Sequence, residues 1–117
     1  MQSIVKEKSY KFAIRIVKLY RYLSEEMREY AISKQVVRSG TSIGANVREA
    51  LQGQSKADFT AKMSIALKEA CETEYWLELL RDTGYLSAVE SESIQKDCSE
   101  IAKLLTMIVK TSRKKTP

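Results

Sequence analysis

The chain has 117 residues, 20 Lys and Arg against 15 Asp and Glu for a formal charge of +5, two cysteines and no histidine. That length suits one domain burying roughly two-thirds of the surface its unfolded chain exposes. The missing histidine, with Cys71 and Cys98 far apart, excludes zinc-finger sets, Glu-x-x-His metal pairs and serine–histidine nucleophiles.

No segment approaches the 18 or so apolar residues that cross a bilayer, and Met1–Lys8 lacks the apolar run of a signal peptide. A cytoplasmic protein with no membrane contact is expected, its cysteines free, reduced core thiols. The positive charge is uneven. Residues 1–57 carry 11 basic and 5 acidic side chains, whereas residues 58–117 carry 9 and 10.

One terminal proline and four glycines offer little to interrupt helices, which points to long helices joined by short turns. The first helix is expected over about 3–24, where Phe12, Ile16, Leu19 or Tyr20, and Leu23 recur at spacings of three and four. Polar residues Glu25 to Glu29 break that pattern. A second helix over 33–52 takes Ser33 as its N-cap and places Val36, Gly40, Ile43, Val47 and Ala50 on one stripe. Gly53 suits a left-handed cap after it.

Ser55 to Asp58 resembles a capping box and opens a third helix over 56–82, closed by Gly84. Its stripe of Phe59, Met63, Ala66, Ala70, Thr73, Leu77 and Leu80 holds for three heptads. Ser87 and Glu90 form a full capping box for a fourth helix over 88–113, with Ile94, Cys98, Ile101, Leu105 and Ile108 inward. The expected fold is all-α: one domain spanning 1–117, an antiparallel up-down-up-down four-helix bundle.

The second helix carries a further stripe without large hydrophobes: Gln35, Ser39, Ser42, Asn46 and Glu49. Gly40 and Gly44 lie beside it, each costing about 1 kcal/mol relative to Ala in a helix interior. Two such costs imply a close approach by another helix. On the third helix Ile65, Glu69, Glu72, Trp76 and Leu79 make a second heptad stripe, which gives that helix more apolar surface than one core absorbs. Carboxylates so placed need partners, and Arg38 and Arg48 are the nearest by pattern. Arg38, Ser39, Ser42, Asn46, Glu49, Glu69, Glu72 and Trp76 are therefore read as a subunit interface or a structural polar network.

Glu49, Glu69 and Glu72 lack the histidines a bundle metal site uses, and no glycine-rich strand-to-helix loop is present for a nucleotide. No catalytic residue, metal, cofactor or small-molecule substrate is expected. Lys8, Lys11, Arg15 and Lys18 fall within an arc of about 80° on the first helix, a positive ridge. Lys96, Lys103 and Lys110 repeat every seven residues on the fourth and lead into Arg113, Lys114 and Lys115. Such clustering of one sign suits nucleic acid; solvated helix faces are the plainer alternative. The candidate contacts are Lys8, Lys11, Arg15, Lys18, Lys110, Arg113, Lys114 and Lys115.

Two tracts in order, Gln35-x-x-Arg38-Ser39-x-x-Ser42-Ile43-x-x-Asn46-Val47-x-Glu49-Ala50 and Ile65-Ala66-x-Lys68-Glu69-x-x-Glu72-Thr73-x-Tyr75-Trp76-Leu77, with Asp58-Phe59 between them, resemble a bacterial four-helix-bundle family. Its members include proteins encoded in 23S ribosomal RNA intervening sequences and the accessory variability determinant (Avd) of diversity-generating retroelements. The resemblance implies a small homopentamer with a positively charged surface. For the retroelement branch it implies binding to nucleic acid and to a reverse transcriptase. The resulting expectation is a non-enzymatic oligomer that binds RNA or DNA with low sequence specificity. The alternative is a structural or adaptor oligomer whose partners are proteins.

Overall fold

The computed structural model describes residues 3–114. Four helices account for most of them: α1 Ile4–Arg21, α2 Ile32–Leu51, α3 Lys56–Asp82 and α4 Ala88–Lys114. Each packs against the next in sequence, and α4 returns to α1 along a narrower seam. The result is an antiparallel up-down-up-down four-helix bundle measuring 49 × 24 × 21 Å. Phe12, Ile16, Leu23, Val36, Ile43, Met63, Leu77, Leu80, Ile101 and Leu105 fill the axis and are almost wholly removed from water.

Local chemistry explains where the helices begin. Ser3 caps α1 by accepting the Lys6 amide at 3.2 Å, and Ser55 caps α3 by accepting that of Asp58 at 3.0 Å. At α4 the exchange is reciprocal: the Glu90 amide donates to Ser87 Oγ at 3.1 Å and the Ser87 amide to Glu90 Oε1 at 3.2 Å. Gly84, at φ +86°, is the left-handed residue after α3, where its missing Cβ avoids strain.

The entry to α2 departs from expectation. Past Arg21 the chain continues through one π-helical turn, Tyr22–Glu26, and then reverses at Arg28, whose φ is +52°. Ser33 is not the N-cap, for α2 has already begun at Ile32. Glu29 does that work instead. Its carboxylate accepts the amides of Ala31, Ile32 and Ser33 at 3.1, 3.0 and 2.7 Å, and Ser33 Oγ donates back to the Glu29 carbonyl at 2.7 Å. A carboxylate on a two-carbon stem can satisfy three orphan amides at once; a capping serine satisfies one. Gly53 is also corrected. It is not left-handed, and Gln52 closes α2 with ordinary φ.

The paired glycines of α2 have a specific use. A Cβ on Gly44 would sit 3.4 Å from the Ser9 carbonyl oxygen of α1, and one on Gly40 would sit 2.8 Å from the Ile16 side chain. The close approach inferred from Gly-x-x-x-Gly thus joins α1 to α2 within one subunit.

Candidate functional site

The polar stripe of α2 meets α3 of the same chain. Ser39 is buried and accepts from Thr73 Oγ1 at 2.9 Å, Asn46 donates to Ser42 Oγ at 3.0 Å, and Glu49 pairs with Lys62 at 2.9 Å. Toward the other end, Arg38 donates to Glu69 at 3.2 Å and to Glu72, while Trp76 Nε1 donates to the same Glu72 oxygen at 2.9 Å. Gln35 accepts from Arg38 at 3.4 Å. The Glu69 side chain is only 13 % exposed, so its guanidinium partner replaces the water it has lost. Arg48, the other candidate partner, goes elsewhere and stacks over the Tyr10 ring 4.9 Å from its centroid. Of the group read as a subunit interface or a structural polar network, Arg38, Ser39, Glu49, Glu69, Glu72 and Trp76 take part in polar contacts at the α2–α3 seam, whereas Ser42 and Asn46 bond to each other along α2. Ile65 and Tyr75, on the outward side of α3, remain exposed at 42 % and 56 %.

The α1 ridge is less free than its sequence suggests. Lys8 pairs with Glu100 at 3.3 Å, and Arg15 pairs with Asp97 at 2.8 Å and donates to Ser93 at 2.7 Å. Lys11 pairs with Glu7 at 3.1 Å. Asp97 and Glu100 lie beside the ridge because α4 packs there, and a reading of α1 alone could not include them; Glu7 belongs to α1 itself, one turn before Lys11. Lys18 is exposed with no ion pair among the described residues. The cleft of about 160 Å³ between α1 and α4 is lined by Lys8, Lys11, Phe12, Asp97, Glu100 and Ile101, a mixed set with no net preference for an anion.

The fourth helix differs. Lys96, Lys103, Lys110, Arg113 and Lys114 are all exposed, and none takes part in an ion pair among the described residues. No acidic residue follows Glu100. At 1.5 Å per residue, Lys103 and Lys110 stand about 10 Å apart on one face. Lys115, also proposed as a contact, lies outside the described residues.

Burial pushes the Cys98 thiol up to about 12, with smaller contributions from Glu74, Cys71 and Asp97, and the thiol donates to the Ala70 carbonyl at 3.5 Å. It is an unreactive core group. Cys71 departs from expectation in being exposed. Glu74 is held above the ordinary carboxylate range, first by burial and then by Glu78. Among the described residues no three His, Cys, Asp or Glu side chains group as metal ligands, and no helix is long and apolar enough to cross a membrane.

The fold has a close counterpart. A crystal structure of a protein of unknown function from the S23 ribosomal protein family, from Bacteroides thetaiotaomicron VPI-5482, is 60% identical. It superimposes with a TM-score of 0.90 over 92% of this chain and 99% of that one. No curated protein matches the chain. The family model described as 23S rRNA-intervening sequence protein matches residues 1–107, nearly the whole bundle, and the chain therefore belongs to that family.

Proposed function

We propose that this protein is a non-enzymatic, oligomeric nucleic-acid-binding bundle that contacts phosphates with low sequence specificity. The observation that carries the reading is the run of exposed cations on α4 that enter no ion pair among the described residues, of which Lys103, Lys110, Arg113 and Lys114 follow its last acid. Flexible ammonium groups on a straight helix can each neutralise a backbone phosphate and release counterions without reading bases. Lys8, Lys11 and Arg15 serve less well, since each must first leave a carboxylate. The exposed apolar residues of α3, Ile65 and Tyr75, support assembly with further copies, and the pentamer implied by the family resemblance would multiply the basic surface. A role beside a reverse transcriptase is the narrower form of this proposal, tested by whether such a gene adjoins this one.

Binding is measured by fluorescence anisotropy with a 23S ribosomal RNA fragment, an unrelated RNA and duplex DNA. Four phosphate contacts per subunit give a slope of about −3.6 in log affinity against log salt on a duplex, a loss of roughly 10²-fold between 50 and 200 mM. Failure to bind any of the three at low salt would favour the protein-adaptor reading.

A further inference from the structure

We propose that nucleic acid docks end-on, at the pole of the bundle where α1 and α3 begin and α2 and α4 end, and that the opposite pole is turned away from it. This rests on the nucleic-acid reading above and names its surface. The fold brings together segments that are distant in sequence. Ser9 lies level with Gly44, Ala70 with Cys98, and Glu49 with Lys62, which sets the antiparallel register, and a plane through the middle of α3 and α4 falls near residues 68 and 101.

On one side of that plane are residues 3–12, 44–68 and 101–114, with eleven Lys and Arg and three Asp and Glu, a net charge of +8. On the other are residues 13–43 and 69–100, with eight and twelve, a net −4. Moving the plane by four residues along each helix, in either direction, still leaves +5 against −1. Helix dipoles do not produce this asymmetry, because two N-termini and two C-termini meet at each end and largely cancel. It comes from side chains.

Lys6 of α1 and Lys56 of α3 are exposed at the basic pole with Lys110, Arg113 and Lys114 of α4, and Lys103 is exposed nearer the midplane. The bundle is 49 Å long, whereas charges in physiological salt are screened over about 8 Å. A polyanion at one pole is therefore nearly insensitive to charge at the other. Diffusing chains are attracted to the basic end and repelled from the acidic one, so the net +5 of the whole chain understates the local attraction.

The test compares two triple charge reversals that change the net charge equally. One is Lys110→Glu, Arg113→Glu and Lys114→Glu at the basic pole; the other is Lys18→Glu, Arg21→Glu and Lys34→Glu at the acidic one. All six side chains are exposed and outside the ion pairs described. Circular dichroism and light scattering establish that each variant keeps wild-type helicity and mass. With a 30-nucleotide RNA and a 30-base-pair DNA as probes, the basic-pole variant is expected to lose roughly 10²-fold in affinity and about three units of salt slope. The acidic-pole variant should stay within about threefold of wild type.

Equal losses from the two variants would overturn end-on docking while leaving nucleic-acid binding intact, as would no loss from the first. Absence of binding by wild type to either probe would overturn both. Vesicles of phosphatidylserine are the control. Binding to them by wild type, without binding to RNA or DNA, would assign the basic pole to a membrane surface and refute the proposal.

Discussion

Replacing Glu29 by Ala should destabilise the protein more than replacing Ser33 by Ala, an order opposite to the one a serine N-cap would produce. Glu29 is only 9 % exposed and satisfies the amides of Ala31, Ile32 and Ser33. A conventional N-cap contributes about 0.5–2 kcal/mol. An amide left buried without a partner costs about 1–3 kcal/mol, and the Ser33 amide is the one bonded in buried surroundings. Some water reaches the other two, so the alanine variant should lose about 2–4 kcal/mol in all. The Ser33 hydroxyl makes a single bond to the Glu29 carbonyl, and its removal should cost about 0.5–1.5 kcal/mol. With a urea dependence of about 1.5 kcal/mol per molar, the midpoints should fall by about 1.3–2.7 M and 0.3–1 M respectively. Glu29→Gln, which keeps one acceptor oxygen, should fall between wild type and alanine. The reasoning is refuted if Glu29→Ala unfolds at the wild-type midpoint, or if Ser33→Ala is the more damaging change.

The glycines of α2 should differ from each other in thermal melts. Gly44→Ala places its methyl at ordinary contact distance from Ser9 and gains helix propensity, so stability should change by no more than about 1 kcal/mol; Gly44→Leu should lose about 1–3 kcal/mol or more by forcing α1 away. Gly40→Ala drives a methyl into Ile16 and should lower the melting temperature where Gly44→Ala does not. Arg38→Met should cost about 1–3 kcal/mol in urea unfolding, because Glu69 and Glu72 are left as neighbouring like charges; adding Glu69→Gln and Glu72→Gln should restore part of it. Glu74→Gln should raise stability at pH 7. Folding holds the Glu74 carboxyl above the ordinary 4.5, so its charged form opposes folding at high pH. That penalty fades as pH falls through the raised value toward 4.5, and the advantage of the glutamine variant should fade with it.

Much of the bundle was legible because its signals are local. The heptad from Phe59 to Leu80 and the Ser87–Glu90 box depend on residues one or two turns apart, and helix geometry converts that spacing directly into a buried face and a capped end. The start of α2 was not legible in the same way. A glutamate four residues ahead of a serine is an ordinary polar segment until the chain reverses at Arg28 and aims that carboxylate at three amides. The Arg38 pairing with Glu69 and Glu72 lies between these cases. Pattern showed that carboxylates on an apolar stripe require a cation; only the antiparallel packing of α2 against α3 chose Arg38, and its packing against α1 sent Arg48 to Tyr10.

The basic surface shows most clearly what register adds. Read along the chain, positive charge collects in the first half and the α1 lysines form an apparent ridge. Folding sets Asp97 and Glu100 beside that ridge, and at the same time carries the acid-free end of α4 to the level where α1 and α3 begin. The ion pairs that weaken the ridge and the pole that concentrates cations are consequences of one antiparallel arrangement. A substitution that reverses charge on α1 near Arg15 therefore perturbs the α1–α4 seam as well as any phosphate contact. Reversals at Lys110, Arg113 and Lys114 perturb no ion pair described here, which makes the fourth helix the surface where binding and folding can be separated by mutation.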